Sequence, residues 1–321
     1  MDPTTPLDQA AIEERLKGLD QRKVGRFWRL YRGRQVDLNV AEVAQRRELR
    51  GLFRAALEDL NNEVRQSFDA VGVEKWDLAT MRRTGRQDFL FRQIVNRIEA
   101  LGGQTNGAIE RSLVAQFKRA YAHGAYSAQE LGANPEAIRF GIIPDQEILG
   151  MLYQDYQGAN FSQRLGIITD DMAHRIQQGL MRSMIDQESW LQAAKRIRGE
   201  MGTSGRAATS RAEMIARTEL RRASSLGGYQ FRLENEEAIG KTVWLAHAGA
   251  CPVCVDLDGR ELDGPEDYPP ALSHPNCTCT YMDLPIGQTY GEFGQTDQPQ
   301  QTFKDWAADH GATGLIVGGT E

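Results

Sequence analysis

Cys251-Pro-Val-Cys254-Val-Asp-Leu-Asp-Gly259, followed after a Pro-rich loop by His274-Pro-Asn-Cys277-Thr-Cys279, is the stretch that decides how this chain is built. All four cysteines of the 321-residue sequence lie within it. Disulfide frameworks scatter their cysteines along a small secreted domain. Here the first residues, Met1 to Leu7, lack the basic-then-apolar pattern of a secretory signal, so the expectation is synthesis in the cytoplasm. Thiols clustered in one window of such a chain point to metal. A Cys-x-x-Cys turn sets two thiolates a metal-ligand separation apart, and a second pair completes a tetrahedron. Zinc is the natural ion for such soft, tetrahedral ligands. Five side chains compete for four places. Cys251, Cys254, Cys277 and Cys279 are the preferred set, with His274 as the main substitute. On an extended strand Cys277 and Cys279 would point to opposite faces, so both reach one ion only if the chain bends there, and this keeps His274 in play. Without metal the same cysteines are a thiol or disulfide staple of a hairpin. Under either reading they staple a domain too short to be stable without help. His247 reads as a packed or surface histidine.

Working outward, Lys241 to Ala246 is short, β-branched and aromatic and predicts a strand; Cys277 to Met282 predicts a final one. Upstream, Ser210 with Glu213 fits a capping box that starts a helix running to about Leu233. Its stripe of Ala212, Ala216, Leu220, Ala223 and Gly227 is rich in small residues. Met201 to Ser210 is small, polar and Gly-containing and reads as a linker. Before it the chain reads as helix. Leu49, Leu52, Phe53, Ala56, Leu57, Leu60, Val64 and Phe68 keep a three-four spacing, as do Phe91, Ile94, Val95, Ile98 and Leu101, and then Ile109, Leu113, Phe117 and Ala120. Met172 to Ile197 reads as two helices broken near Ser183 to Glu188. After Gln288 the composition turns to Gly, Gln and Thr, and the expectation is a disordered or partner-bound tail.

The expected fold class is therefore mainly α, with a helical N-terminal body followed by a long helix and a small Cys/His-stapled α+β C-terminal domain. The expected divisions are residues 1–201, 202–286 and an acidic flexible tail, 287–321. The net charge of -6 is uneven. Basic residues exceed acidic ones between Ile12 and Arg54, whereas from Asp256 onward only Arg260 and Lys304 are basic. Arg22-Lys-Val-Gly-Arg-Phe-Trp-Arg-Leu-Tyr-Arg-Gly-Arg34 interleaves cations with aromatics. One reading stacks the aromatics on DNA bases and sets the cations on phosphates. The simpler one is an amphipathic helix that buries Phe27, Trp28 and Leu30 or Tyr31 and exposes its arginines, equally able to dock on an acidic protein surface. No apolar run approaches the length of a membrane span, so no membrane partner is expected.

Three pieces occur in order: Ile215-Ala-Arg-Thr-Glu219 on the long helix; Trp244 on the strand before Cys251-Pro-Val-Cys254; and Leu257-Asp-Gly259 with Pro269-Pro270 before His274-Pro-Asn-Cys277-Thr-Cys279. From about Met172 to Pro285 this order resembles the phage head morphogenesis family, the Mu F-like minor head proteins. The resemblance implies a minor capsid protein of few copies, located in the head interior or at the portal vertex. It implies partners among portal, major capsid and scaffold proteins, and a part in head assembly, DNA packaging or DNA ejection. It implies no catalytic residues. For Arg217, Thr218 and Glu219 two readings stand: a polar latch between helix and stapled domain, or a solvated face on which Arg217 pairs with Glu213. The rival function is a metal-dependent nuclease of the His-Asn-His type, drawing on His247, His274 and Asn276 with Asp256 and Asp258. A closed zinc site with no open coordination position argues against it, and no enzymatic activity is expected.

Overall fold

The structure is a computed structural model, which describes residues 25–71, 85–156, 158–246, 250–263, 277, 279–290 and 302–315. It is mainly helical, with seven α-helices and one small sheet among the described residues. The helices are α1 (Gly25–Val71), α2 (Arg86–Glu130), α3 (Asp145–Leu152), α4 (Phe161–Ile185), α5 (Trp190–Glu234), α6 (Pro252–Asp256) and α7 (Phe303–Asp309). The strands are β1 (Ile239–Leu245), β2 (Glu261–Leu262) and β3 (Thr280–Pro285), antiparallel in the order β2-β1-β3. The expected mainly-α class with a small C-terminal α+β region is what the chain forms.

The chain clusters into two compact units. The first comprises Met1–Glu42, Ser112–Leu152 and Thr218–Glu321; the second comprises Val43–Arg111 and Tyr153–Arg217. Three of their four boundaries fall inside α1, α2 and α5, and the fourth falls at the end of α3.

In the second unit, the expected break near Ser183 to Glu188 is present between α4 and α5, with Gln187 at a positive φ of 51°. The expected linker is not. Met201 to Ser210 lies in the middle of α5, with Met201, Ser204, Gly205 and Ala208 buried. Their small size serves contact between helices. A Cβ on Gly205 would lie 2.5 Å from Leu57 Cδ1 of α1. The helix starts earlier, where Ser189 and Gln192 make the reciprocal capping contacts expected of Ser210 and Glu213. Glu213 instead accepts from Arg50 Nε at 2.6 Å, and Arg46 Nε lies 3.5 Å from its carboxylate.

In the first unit, α1, α2 and the end of α5 surround a core that includes Phe27, Leu30, Tyr31, Tyr121, Tyr126, Phe231, Val243, Leu245 and Trp306. The amphipathic reading of the basic helix holds for Phe27, Leu30 and Tyr31, which are buried, and for Arg29 and Arg32, which are exposed. Arg34 departs from it: it is buried and donates to the carbonyls of Tyr281 and Ser224. Residues 22–24 lie outside the described residues. The tail also departs from expectation. Trp306 of α7 is fully buried and donates through Nε1 to Gln129 Oε1 at 2.6 Å. Phe303 stacks on the buried His123 ring, with centroids 3.7 Å apart, and His123 Nε2 meets Asp37 Oδ2 at 2.8 Å. A composition poor in apolar groups concealed a single aromatic face, Phe303, Trp306 and His310, at helical spacing. Residues 291–301 and 316–321 lie outside the described residues.

Candidate metal centre

Alternation along β1 and β3 divides the sheet into two faces. Val243 and Leu245, with Met282 and Leu284, enter the aromatic core. Trp244 and Ala246, with Tyr281 and Cys279, enter a second buried cluster that also holds Cys254, Cys277 and Leu262. Register fixes this arrangement: Trp244 pairs with Tyr281 and Leu245 with Thr280. The Trp244 and Tyr281 rings meet edge-on, 4.6 Å apart. β2 and the turn before it close the edge, with Trp244 N donating to Arg260 O and Gly259 N to Trp244 O. Gly259 takes a positive φ of 76° in that turn, a conformation glycine adopts without steric cost.

Three of the expected ligands converge. Cys254, Cys277 and Cys279 are all buried, and their sulfurs lie within 4.8 Å of one another, close enough to bind one metal ion. Cys254 Sγ and Cys277 Sγ are 3.7 Å apart. A disulfide would hold them at about 2.05 Å; a tetrahedral ion with zinc–sulfur bonds of about 2.3 Å sets an edge of about 3.8 Å. The separation is too long for a disulfide, and none of the four cysteines is disulfide-bonded; it suits equally two thiols sharing a hydrogen bond and two ligands of one ion. The bend required of Cys277 and Cys279 is accommodated because β3 begins only at Thr280. Neither cysteine is bound by the strand's alternation.

Cys251 is the N-cap of α6 and makes no side-chain cap bond. It packs against the same cluster and is half-buried, but is not in the group of three convergent sulfurs. His274 lies outside the described residues, as do His247 and Asn276. Of the carboxylates proposed for a nuclease, Asp258 Oδ1 accepts from Ala246 N at 2.8 Å and so holds the turn, while Asp256 is exposed on α6.

A polar layer that the sequence did not reveal continues from the cysteine cluster along the same sheet face. Thr242 Oγ1 donates to Asp283 Oδ1 at 2.8 Å, both buried. Burial pushes the Asp283 carboxyl above the usual carboxylate range, against the pull of Arg232, the Thr242 hydrogen bond and Arg34. Arg232, on α5, also donates to Leu262 O of β2, which ties the long helix to this sheet. The nearest sequence signal was the alternation Thr242, Trp244, Ala246, which marks one face without saying that it is polar at one end. Thr218 and Glu219 lie on the same helix and are buried, with Glu219 paired to Arg222 at 3.1 Å. Arg222 also donates to Leu152 O. For these two residues the solvated-face reading is wrong.

Compared with known protein families, curated proteins and solved structures, the chain matches none.

Proposed function

We propose that this chain is a minor head protein of a phage-type particle, a structural and assembly component whose C-terminal region is stapled by one zinc ion. Zinc is chosen over other metals by the ligand chemistry: three thiolates around one point suit a borderline-soft, redox-inert ion with no preference beyond the tetrahedron. Cys254, Cys277 and Cys279 supply three ligands, and Cys251 is the fourth in this reading, with His274 its substitute. When bound, the ion supplies a cross-link between α6 and the approach to β3.

The observation that carries the functional reading is the way its sequence pieces fall together. The buried Thr218 and Glu219 of α5, Trp244 of β1 and the three convergent cysteines belong to one compact unit, and Trp244 shares one buried cluster with the cysteines. These are among the residues on which the resemblance to Mu F-like minor head proteins rests; Ile215 to Arg217 of the same helical piece fall in the second unit, and Pro269, Pro270 and His274 to Asn276 lie outside the described residues. No described helix is long and apolar enough to cross a membrane. The partners in this reading are portal, capsid or scaffold protein. Arg29 and Arg32, exposed on α1, are the cations offered to an acidic partner surface or to DNA, where they speed encounter more than they raise affinity. No reaction is assigned to the chain.

The test is made on particles produced by cells that carry the gene or a deletion of it. Mass spectrometry of purified heads is expected to find the protein in few copies per particle, and the deletion is expected to lower the yield of DNA-filled, infectious particles by at least tenfold. Purified heads that lack the protein, with full infectivity in the deletion, would contradict the reading.

A further inference from the structure

Trp244 presents a problem that the metal centre answers. The side chain is 1% exposed, and its indole Nε1 is buried with no hydrogen-bond partner among the described residues. Tryptophan is a donor only, and a buried indole N–H usually finds an acceptor. An unmet buried donor costs about 1–3 kcal/mol. The ring is held in place: the Trp244 backbone is hydrogen-bonded on the β2 side and registered with β3 on the other, and its ring meets that of Tyr281 edge-on. The buried cluster it belongs to is rich in sulfur and otherwise holds Ala246, Leu262 and Tyr281. Cys254, Cys277 and Cys279 share its cluster. Cys279 enters this cluster from just before β3, two residues ahead of Tyr281, the residue that Trp244 faces across the β1–β3 ladder.

Neutral thiols are poor acceptors. Thiolates around a cation are good ones, and they appear only when metal displaces their protons. We infer that the Trp244 indole N–H donates a hydrogen bond to a cysteinate sulfur of the metal-loaded centre, making Trp244 a positioning residue that sets how tightly the metal is held. The inference rests on the zinc reading above. The donor draws charge from a sulfur that would otherwise carry it unshared in an apolar pocket, and it holds that sulfur in place. Groups outside the ligand set that act in this way typically change metal affinity 10- to 100-fold.

The test uses the full chain in which Trp244 is replaced by β-(3-benzothienyl)alanine, an isostere with sulfur in place of the N–H, together with Trp244→Phe. Zinc affinity is read by competition with a chromophoric chelator, and the ligand field by the sulfur-to-metal charge-transfer band after cobalt(II) loading. The isostere is expected to bind zinc about tenfold more weakly and to move the cobalt band to longer wavelength, because an unbonded thiolate gives up its electron more easily. Amide protection of β1 and β3 in the fully zinc-loaded isostere is expected to match the unmodified chain, which separates a lost hydrogen bond from lost packing. Trp244→Phe should share both metal effects and also weaken that protection in the loaded state. Unchanged affinity and an unchanged band in the isostere would overturn the inference while leaving the metal reading intact. Failure of the unmodified chain to take up zinc or cobalt at all would overturn both.

Discussion

Gly227→Ala is expected to destabilise the protein by about 2 kcal/mol or more, although alanine is the better helix former. Gly227 lies inside α5, where a substitution to alanine would ordinarily gain roughly 1 kcal/mol of helix propensity. The surroundings reverse the sign. A Cβ at this position would lie 2.2 Å from the carbonyl oxygen of Phe117 and 3.1 Å from Ala120 Cβ, both on α2. The obstacle is helix backbone, which no rotamer change moves. Relief requires α2 and α5 to separate where the core is closely packed, and overpacking of this kind costs about 1–3 kcal/mol and occasionally more. Gly166→Ala on α4 is the control. Nothing lies within 4 Å of its added methyl, so a gain of about 0.5–1 kcal/mol is expected there. Urea unfolding of the two variants should give midpoints displaced in opposite directions. Equal midpoints would mean that the close crossing of α2 and α5 is wrong.

Cys277→Ser is expected to have the larger local effect. Its side chain is 1% exposed, and its sulfur is one of three that converge. Because structural zinc binding is worth on the order of 10 kcal/mol to folding in small metal-stapled domains, loss of one ligand should abolish stoichiometric metal and unfold the region around β1, α6 and β3. Hydrogen exchange is the measurement. Amides of Val243 to Leu245 and Tyr281 to Leu284 should lose protection, while those of α4 keep it. Cys251→Ser separates the two candidates for the fourth ligand. A loss as large as that of Cys277→Ser places Cys251 in the set, and a much smaller one points to His274. Full protection and full metal content in Cys277→Ser would remove the cysteine centre from the account.

The elements that the sequence revealed are those with a strong period or a rare residue type. The apolar spacing from Leu49 to Leu60 marked α1, and the β-branched run around Val243 marked β1. The confinement of all cysteines to one window marked the cluster in which Cys254, Cys277 and Cys279 converge. What misled was small residues. Glycine, serine and threonine from Met201 to Ser210 signal a linker when read locally, because their intrinsic helix preference is weak. In α5 they permit the close approach of Leu57, and tertiary contact overrides propensity. The same blindness affected Arg34 and Glu219, charged residues that pattern alone assigns to solvent. Arg34 is buried against two backbone carbonyls, and Glu219 against Arg222. Their partners are distant in the chain or hidden within it, so no local window announces them. Trp244 was legible as part of a motif, but its unmet N–H is visible only once the fold buries the ring in the cluster that holds the thiols.

The measurement that bears most directly on the central claim is the metal content of the full chain, purified under reducing conditions without chelator. Elemental analysis is expected to give about one zinc per chain. Stripping that zinc with chelator should expose the four thiols to titration and collapse amide protection in β1 and β3, and adding zinc back should restore both. A folded chain that contains no metal, titrates all its thiols and keeps that protection would contradict the account.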